Sequence, residues 1–257
     1  MADVVAIANQ KGGVAKTTTV QNLGVSLAEQ GIRVLLVDLD PQACLTFSLG
    51  FDPDTLNLSL HDVLVRRASV SEAMREIADI EGLKLLPATI DLAGAEVHLL
   101  GRTGREHVLT RALSPVLDDF DVVLIDCPPS LGVLTINGLT AAKVVLIPLQ
   151  CEALSHRGVG QLLETIEDVK QFANADLRVL GVVATMFDGR TRHSRQMLEE
   201  VRTRYNLEVF EPPIPKSVRF AEAPGLGKSI LSYMPNSLGA QAYRDLASSV
   251  LKALREL

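Results

Sequence analysis

The chain has 257 residues, 47% of them hydrophobic, and a formal net charge of −6. That length and apolar content suffice for one large core, so a single domain over residues 1–257 is expected. The acidic balance excludes a strongly basic nucleic-acid module but leaves room for a local basic patch.

Met1-Ala2-Asp3 leads straight into an apolar stretch, with no basic segment and no cleavable leader. No apolar run approaches the roughly 20 residues that span a bilayer. A cytoplasmic protein with no membrane partner is expected. Strand-length apolar runs rich in Val, Ile and Leu follow at residues 4–8, 34–37, 83–86, 122–125, 144–148 and 179–184. They lack polar alternation, as strands covered on both faces do. Helical periodicity fills 18–30, 106–117 and 158–172, and Ser69-Val70-Ser71-Glu72 has the form of a capping box. The pattern predicts an α/β domain with a mostly parallel twisted sheet and helices on both faces. Ligands of such sheets sit at the carboxyl ends of the strands. The last segment, 237–257, is predicted as an amphipathic helix with Tyr243, Leu246, Val250, Leu251 and Leu254 on its buried side. Its polar face mixes Arg244, Lys252 and Arg255 with Asp245 and Glu256, unlike the basic face of a membrane-surface helix.

Directly after the first strand comes Lys11-Gly12-Gly13-Val14-Ala15-Lys16-Thr17-Thr18-Thr19. A small-residue loop between strand and helix, ending in Lys-Thr, has the layout of a phosphate cradle. Backbone N–H groups from Gly12 to Thr18 face the phosphate oxygens, and the helix start adds its positive dipole end. Lys16 supplies a point charge to the β/γ-phosphates and the Thr17 hydroxyl is a ligand for Mg²⁺.

Two strand ends carry carboxylates. The run 34–42 ends in Asp38-Leu39-Asp40-Pro41-Gln42, and 122–130 ends in Asp126-Cys127-Pro128-Pro129-Ser130. Unpaired buried Asp is costly, so such residues need a use. Beside a triphosphate, Asp40 orients the attacking water, and Asp38 holds either the metal's water shell or Lys16. Asp126 has the position of a Walker B carboxylate that holds Mg²⁺ through water. Thr17, Asp38, Asp40 and Asp126 form the expected metal set. The widely spaced Cys44, Cys127 and Cys151 lack cluster motifs and are each expected to be small buried fillers.

The lysine at the loop's start, the 34–42 string, and blocks at 86–89, 147–152, 185–191 and 214–224 resemble the ParA/Soj family. The resemblance is to its short, chromosomal kind, within the deviant Walker A P-loop ATPases. It implies ATP/ADP and Mg²⁺ as cofactors and slow, partner-stimulated ATP hydrolysis. It also implies an ATP-dependent homodimer in which Lys11 reaches the other subunit's phosphates. Further implications are adenine contacts around Met186 and Pro215, a ParB-like partner, and nucleoid association through non-specific DNA contacts by Arg190 and Arg219. Lys216 and Lys228 belong to the same segment, which is +3 between residues 189 and 228. Two departures stand out. Ala15 and Ala43-Cys44 occupy places where the family most often has Gly and Gly-Asn. A methyl at Ala15 costs on the order of 1–3 kcal/mol if φ is positive and little if it is negative. The alternatives to DNA partition are positioning of a protein cargo, such as a carboxysome or chemoreceptor array, and a metabolic P-loop phosphotransferase.

Overall fold

Eight strands form one sheet in the computed structural model, which describes residues 2–151 and 155–257, without the side chains of residues 155–157 and 193. They are β1 (Asp3–Ile7), β2 (Val34–Asp38), β3 (Arg75–Glu76), β4 (Leu83–Leu86), β5 (Val122–Asp126), β6 (Val144–Gln150), β7 (Arg178–Thr185) and β8 (Val209–Phe210). The spatial order is β3-β4-β2-β5-β1-β6-β7-β8. Every pairing is parallel except that of β3 with β4. All six expected strands are present; the two-residue edge strands β3 and β8 are too short to leave a periodic signal.

Among the described residues, twelve helices join them. The first six are α1 (Lys16–Glu29), α2 (Cys44–Ser48), α3 (Leu60–Leu64), α4 (Val70–Ala73), α5 (Leu92–Leu100) and α6 (Val108–Leu113). The rest are α7 (Val133–Ala141), α8 (Ser155–Phe172), α9 (Arg192–Tyr205), α10 (Arg219–Glu222), α11 (Ile230–Tyr233) and α12 (Leu238–Arg255). Alternate strand residues feed two cores. Val4 and Ala6 of β1 face the layer holding α3 to α9, while Val5 and Ile7 face α1, α11 and α12. No helix among the described residues is long and apolar enough to cross a membrane.

Local chemistry accounts for several boundaries. Ser69 and Glu72 form the expected capping box at α4. Ser237 caps α12, whose Tyr243, Leu246, Val250 and Leu254 are buried as expected. The helix expected over 106–117 is broken instead: α6 is flanked by the 3-10 turns Arg105–His107 and Ser114–Asp119. Pro115 lacks the N–H needed to continue α6, and the Asn137 side chain accepts from Leu109 N–H at its first turn.

Candidate functional site

The sheet brings three strand ends level. Ile7 pairs with Asp126 across β1 and β5, and Asp38 pairs with the same Asp126 across β2 and β5. The phosphate loop leaves β1 directly above them. Asn9 is buried and fixes the loop's start: its Nδ2 donates to Pro148 O at 2.7 Å, and its Oδ1 accepts from Lys11 N at 2.9 Å. Thr185 at the end of β7 fixes the middle by donating to Val14 O at 2.9 Å. Sequence reasoning missed both residues, because their roles depend on β6 lying beside β1 and β7 beside β6.

Gly13 and Ala15 both lie in the left-handed region, at φ 72° and 63°. A Cβ added at Gly12 or Gly13 would meet nothing within 4 Å, so the space beside both glycines is open. Ala15 is the N-cap of α1, and the helix has neither a side-chain cap nor an acid in its first turn. Its leading N–H groups therefore remain available to an anion. Lys16 is buried and folds back under the loop, donating to Lys11 O at 3.2 Å. Burial lowers its pKa, and Asp126 and, more weakly, Asp40 oppose that shift.

Beneath the loop, Asp126 is buried and neither carboxylate oxygen has a hydrogen-bond partner. Its pKa is raised well above the ordinary value by burial and then by Asp38, while the nearby Thr17 hydroxyl draws it down. A buried carboxylate left without a donor is rare and costly. Together with a hydroxyl it forms the hard oxygen donor set that suits Mg²⁺. Asp38 has protein donors instead. Its Oδ2 accepts from Thr46 N at 2.8 Å and Thr46 Oγ1 at 2.7 Å, and its Oδ1 from Asp40 N at 3.3 Å. Burial still pushes its pKa up to about 6. These contacts anchor the β2–α2 loop. That loop holds Asp40 half-buried at the rim, with Oδ1 accepting from Gln42 N at 2.9 Å.

The same loop contains a second left-handed alanine, Ala43, at φ 51°. Both departures from the family pattern thus put a methyl where backbone geometry favours glycine. Cys127 and Cys151 are buried as expected, but Cys44 is exposed at the start of α2, which corrects its reading as a buried filler. Its position follows from the turn at Ala43, which directs the first residue of α2 outward.

Met186, just past the end of β7, and Pro215 lie in adjoining segments. Phe187 forms an isolated bridge with Pro215, Phe187 N–H donates to Ile214 O, and Lys216 N–H donates to Phe187 O. Met186 turns the chain there at φ 48°. Glu152, the last residue of the 147–152 block, lies outside the described residues. Arg190, Lys216, Arg219 and Lys228 are all exposed. Arg219 is paired with Glu222 at 2.7 Å and Arg202 with Glu211 at 2.7 Å, while Arg204 lies over the Tyr205 ring. Two surface cavities, of about 440 and 480 Å³, lie elsewhere: one beside Val63, Val70 and Val108, the other between Gln30 and Leu251.

An open phosphate loop on a parallel sheet, with acidic strand ends beneath it, defines a P-loop nucleoside triphosphatase. A family model described as an AAA domain matches residues 2–179. The sporulation initiation inhibitor protein Soj of Bacillus subtilis is 47% identical over 97% of this chain and 98% of that protein. The chromosome partitioning protein ParA of Caulobacter vibrioides is 44% identical over 98% and 95%. A Mycobacterium smegmatis structure named cobyrinic acid a,c-diamide synthase, with bound ADP and magnesium, is 56% identical. It superposes with a TM-score of 0.88, covering 99% of this chain and 96% of that one. The chain belongs to the ParA/Soj family of partition ATPases.

Proposed function

We propose that the chain is an ATP-operated dimerisation switch that binds DNA non-specifically and partitions chromosome or plasmid DNA with a ParB-like partner. The observation that carries the nucleotide part is Asp126, a buried carboxylate without a donor beneath an uncapped helix start. In this reading the N–H groups from Gly12 to Thr18 and the Lys16 ammonium bind the phosphates. Thr17 and Asp126 hold Mg²⁺, with Asp40 and Asp38 around its water shell. The metal supplies neutralisation of the charge that develops on the transferred phosphoryl group. Asp40, at the half-buried rim, orients the attacking water. Met186 and Pro215 flank the adenine.

Closure by a second copy is supported by α5, where Val97 and Leu100 are 72% and 58% exposed, with Ile90 just before it at 62%. Such a stripe suits a partner surface. Lys11 begins the loop and reaches the other subunit's phosphates. Arg190, Lys216, Arg219 and Lys228, doubled in the dimer, contact DNA phosphates without reading bases. Nucleoid association and slow, partner-stimulated hydrolysis follow from that cycle.

The test combines light scattering, phosphate release and DNA co-sedimentation with ATP, ADP or no nucleotide. Asp40→Ala is expected to hold ATP in a stable dimer with little phosphate release. Lys11→Ala is expected to bind ATP as a monomer and lose both hydrolysis and DNA. Arg219→Glu is expected to dimerise but lose DNA. An ATP-dependent dimer of Lys11→Ala would break the switch reading. The name of the M. smegmatis relative motivates a second reading, amide synthesis; hydrolysis stimulated by cobyrinic acid rather than DNA would favour it.

A further inference from the structure

Among the described residues, Arg219 differs from the other three cations assigned to DNA. Arg190, Lys216 and Lys228 make no ion pair, whereas Arg219 Nη1 donates to Glu222 Oε2 at 2.7 Å. The Tyr233 hydroxyl donates to the same carboxylate oxygen at 3.0 Å. Arg219 and then Tyr233 hold the Glu222 pKa below its ordinary value. A guanidinium beside a carboxylate presents no net charge to a polyanion. A nucleic-acid phosphate must therefore displace a charge-assisted bond and then face a freed Glu222.

The pieces of this clamp are tied to the phosphate-loop helix by two routes. Asn22 of α1 is 1% exposed. Its Oδ1 accepts from Ile230 N, the first residue of α11, at 2.7 Å, and its Nδ2 donates to Thr18 O at 2.7 Å. Since α11 is one turn long and ends at Tyr233, its placement sets where the Tyr233 hydroxyl meets Glu222. The second route begins at Thr19, whose Oγ1 lies 3.3 Å from the buried Tyr243 hydroxyl. The Tyr243 ring packs edge-on against Phe220, 5.8 Å between centroids, and Phe220 follows Arg219 directly. Both routes start in the turn of α1 that follows Lys16 and Thr17.

We propose that Glu222 and Tyr233 form a latch that withholds Arg219 from nucleic-acid phosphates. Asn22 and Tyr243 connect this latch to the phosphate loop, so that seating a triphosphate on α1 releases the arginine. The inference rests on the reading of Arg219 as a DNA contact. Glu222, Tyr233, Asn22 and Tyr243 act as positioning residues through Arg219. Because coupling between two binding sites is reciprocal, DNA must tighten triphosphate binding by the factor that triphosphate tightens DNA.

The experiment is a fluorescence anisotropy titration of a random-sequence DNA duplex with the full chain, in ADP and in a non-hydrolysable ATP analogue. With ADP, Glu222→Gln is expected to tighten binding about tenfold and Tyr233→Phe, which alters no charge, about threefold. With the ATP analogue both should stay within about twofold of the parent protein, because the latch is already open. Glu211→Gln, which removes the same charge from the Arg202 pair, should shift both states equally. Tyr243→Phe should narrow the difference between the two nucleotides. Parent-like ratios in Glu222→Gln and Tyr233→Phe would overturn the latch, as would a Glu222→Gln gain shared equally by both states. Arg219→Glu in the same titration separates the failures. If it loses DNA while those ratios stay parental, the latch alone is wrong. If it binds DNA like the parent, the DNA-contact reading fails and takes the latch with it.

Discussion

The strand-end site and the basic face treat charge in opposite ways. At the ends of β1, β2 and β5, Lys16, Asp38 and Asp126 are buried, and sheet register sets the two aspartates side by side. Beyond β7, Arg190, Lys216, Arg219 and Lys228 are exposed, and the ion pairs of Arg202 and Arg219 are with neighbouring acids at the surface. Buried charges destabilise unless something completes them, so the first region is preorganised at a cost to stability. Exposed pairs contribute little and exchange partners easily, which suits contacts that must be made and released. The fold therefore builds the nucleotide site into its core and leaves the nucleic-acid contacts adjustable.

The contrast predicts effects of very different size. Lys16→Ala should abolish detectable ATP binding in calorimetry, because backbone dipoles neutralise only part of the phosphate charge; unchanged affinity would remove the phosphate-loop assignment. Next in size is the cost of the buried acids. Asp38 titrates at about 6 in the folded chain, above its ordinary 3.8, so the folded state binds the proton more tightly than the unfolded one. Its stabilising contribution is full below the unfolded value and lost as pH rises through about 6, a difference on the order of 3 kcal/mol. Asp126 shifts in the same direction. Thermal denaturation of the nucleotide-free chain should therefore show stability rising from pH 7 to pH 5. Asp126→Asn should raise the melting temperature at pH 7 and flatten that slope, while abolishing the stabilisation by magnesium and ATP. An Asp126→Asn chain that melts lower would place the carboxylate among ordinary structural acids.

Ala15→Gly probes backbone strain in the same region. Relief of the left-handed alanine outweighs the added freedom of the unfolded chain by about 1 kcal/mol or less. The expected outcome is a melting temperature higher by a few degrees, and no rise would mean that the loop carries no strain. The smallest effect belongs to the basic face. Lys228→Gln should leave stability unchanged and reduce the slope of log affinity for DNA against log salt by roughly 0.9. A change in melting temperature would show that Lys228 supports the fold.

Sequence periodicity and spacing determined much of this protein. The six main strands, the phosphate loop, the acidic strand ends, the α4 capping box and the buried side of α12 were all legible, because each is set by neighbours along the chain. Local pattern failed where a distant contact intervened. Asn137 and Pro115 break the helix expected over 106–117, and Cys44 is turned outward by its left-handed neighbour.

Tertiary structure alone decided what those charges meet. It places β5 between β1 and β2, which sets Asp126 beside Asp38 and leaves its carboxylate without a donor. It also assigns Asp38 to Thr46, fixes Ala15 at positive φ, and brings the Tyr233 hydroxyl onto Glu222, which is thereby held between Arg219 and Tyr233. The physical reason is common to all four. Residue type and spacing specify which groups are available, but burial, hydrogen-bond partners and backbone strain depend on elements that meet only when the sheet is assembled.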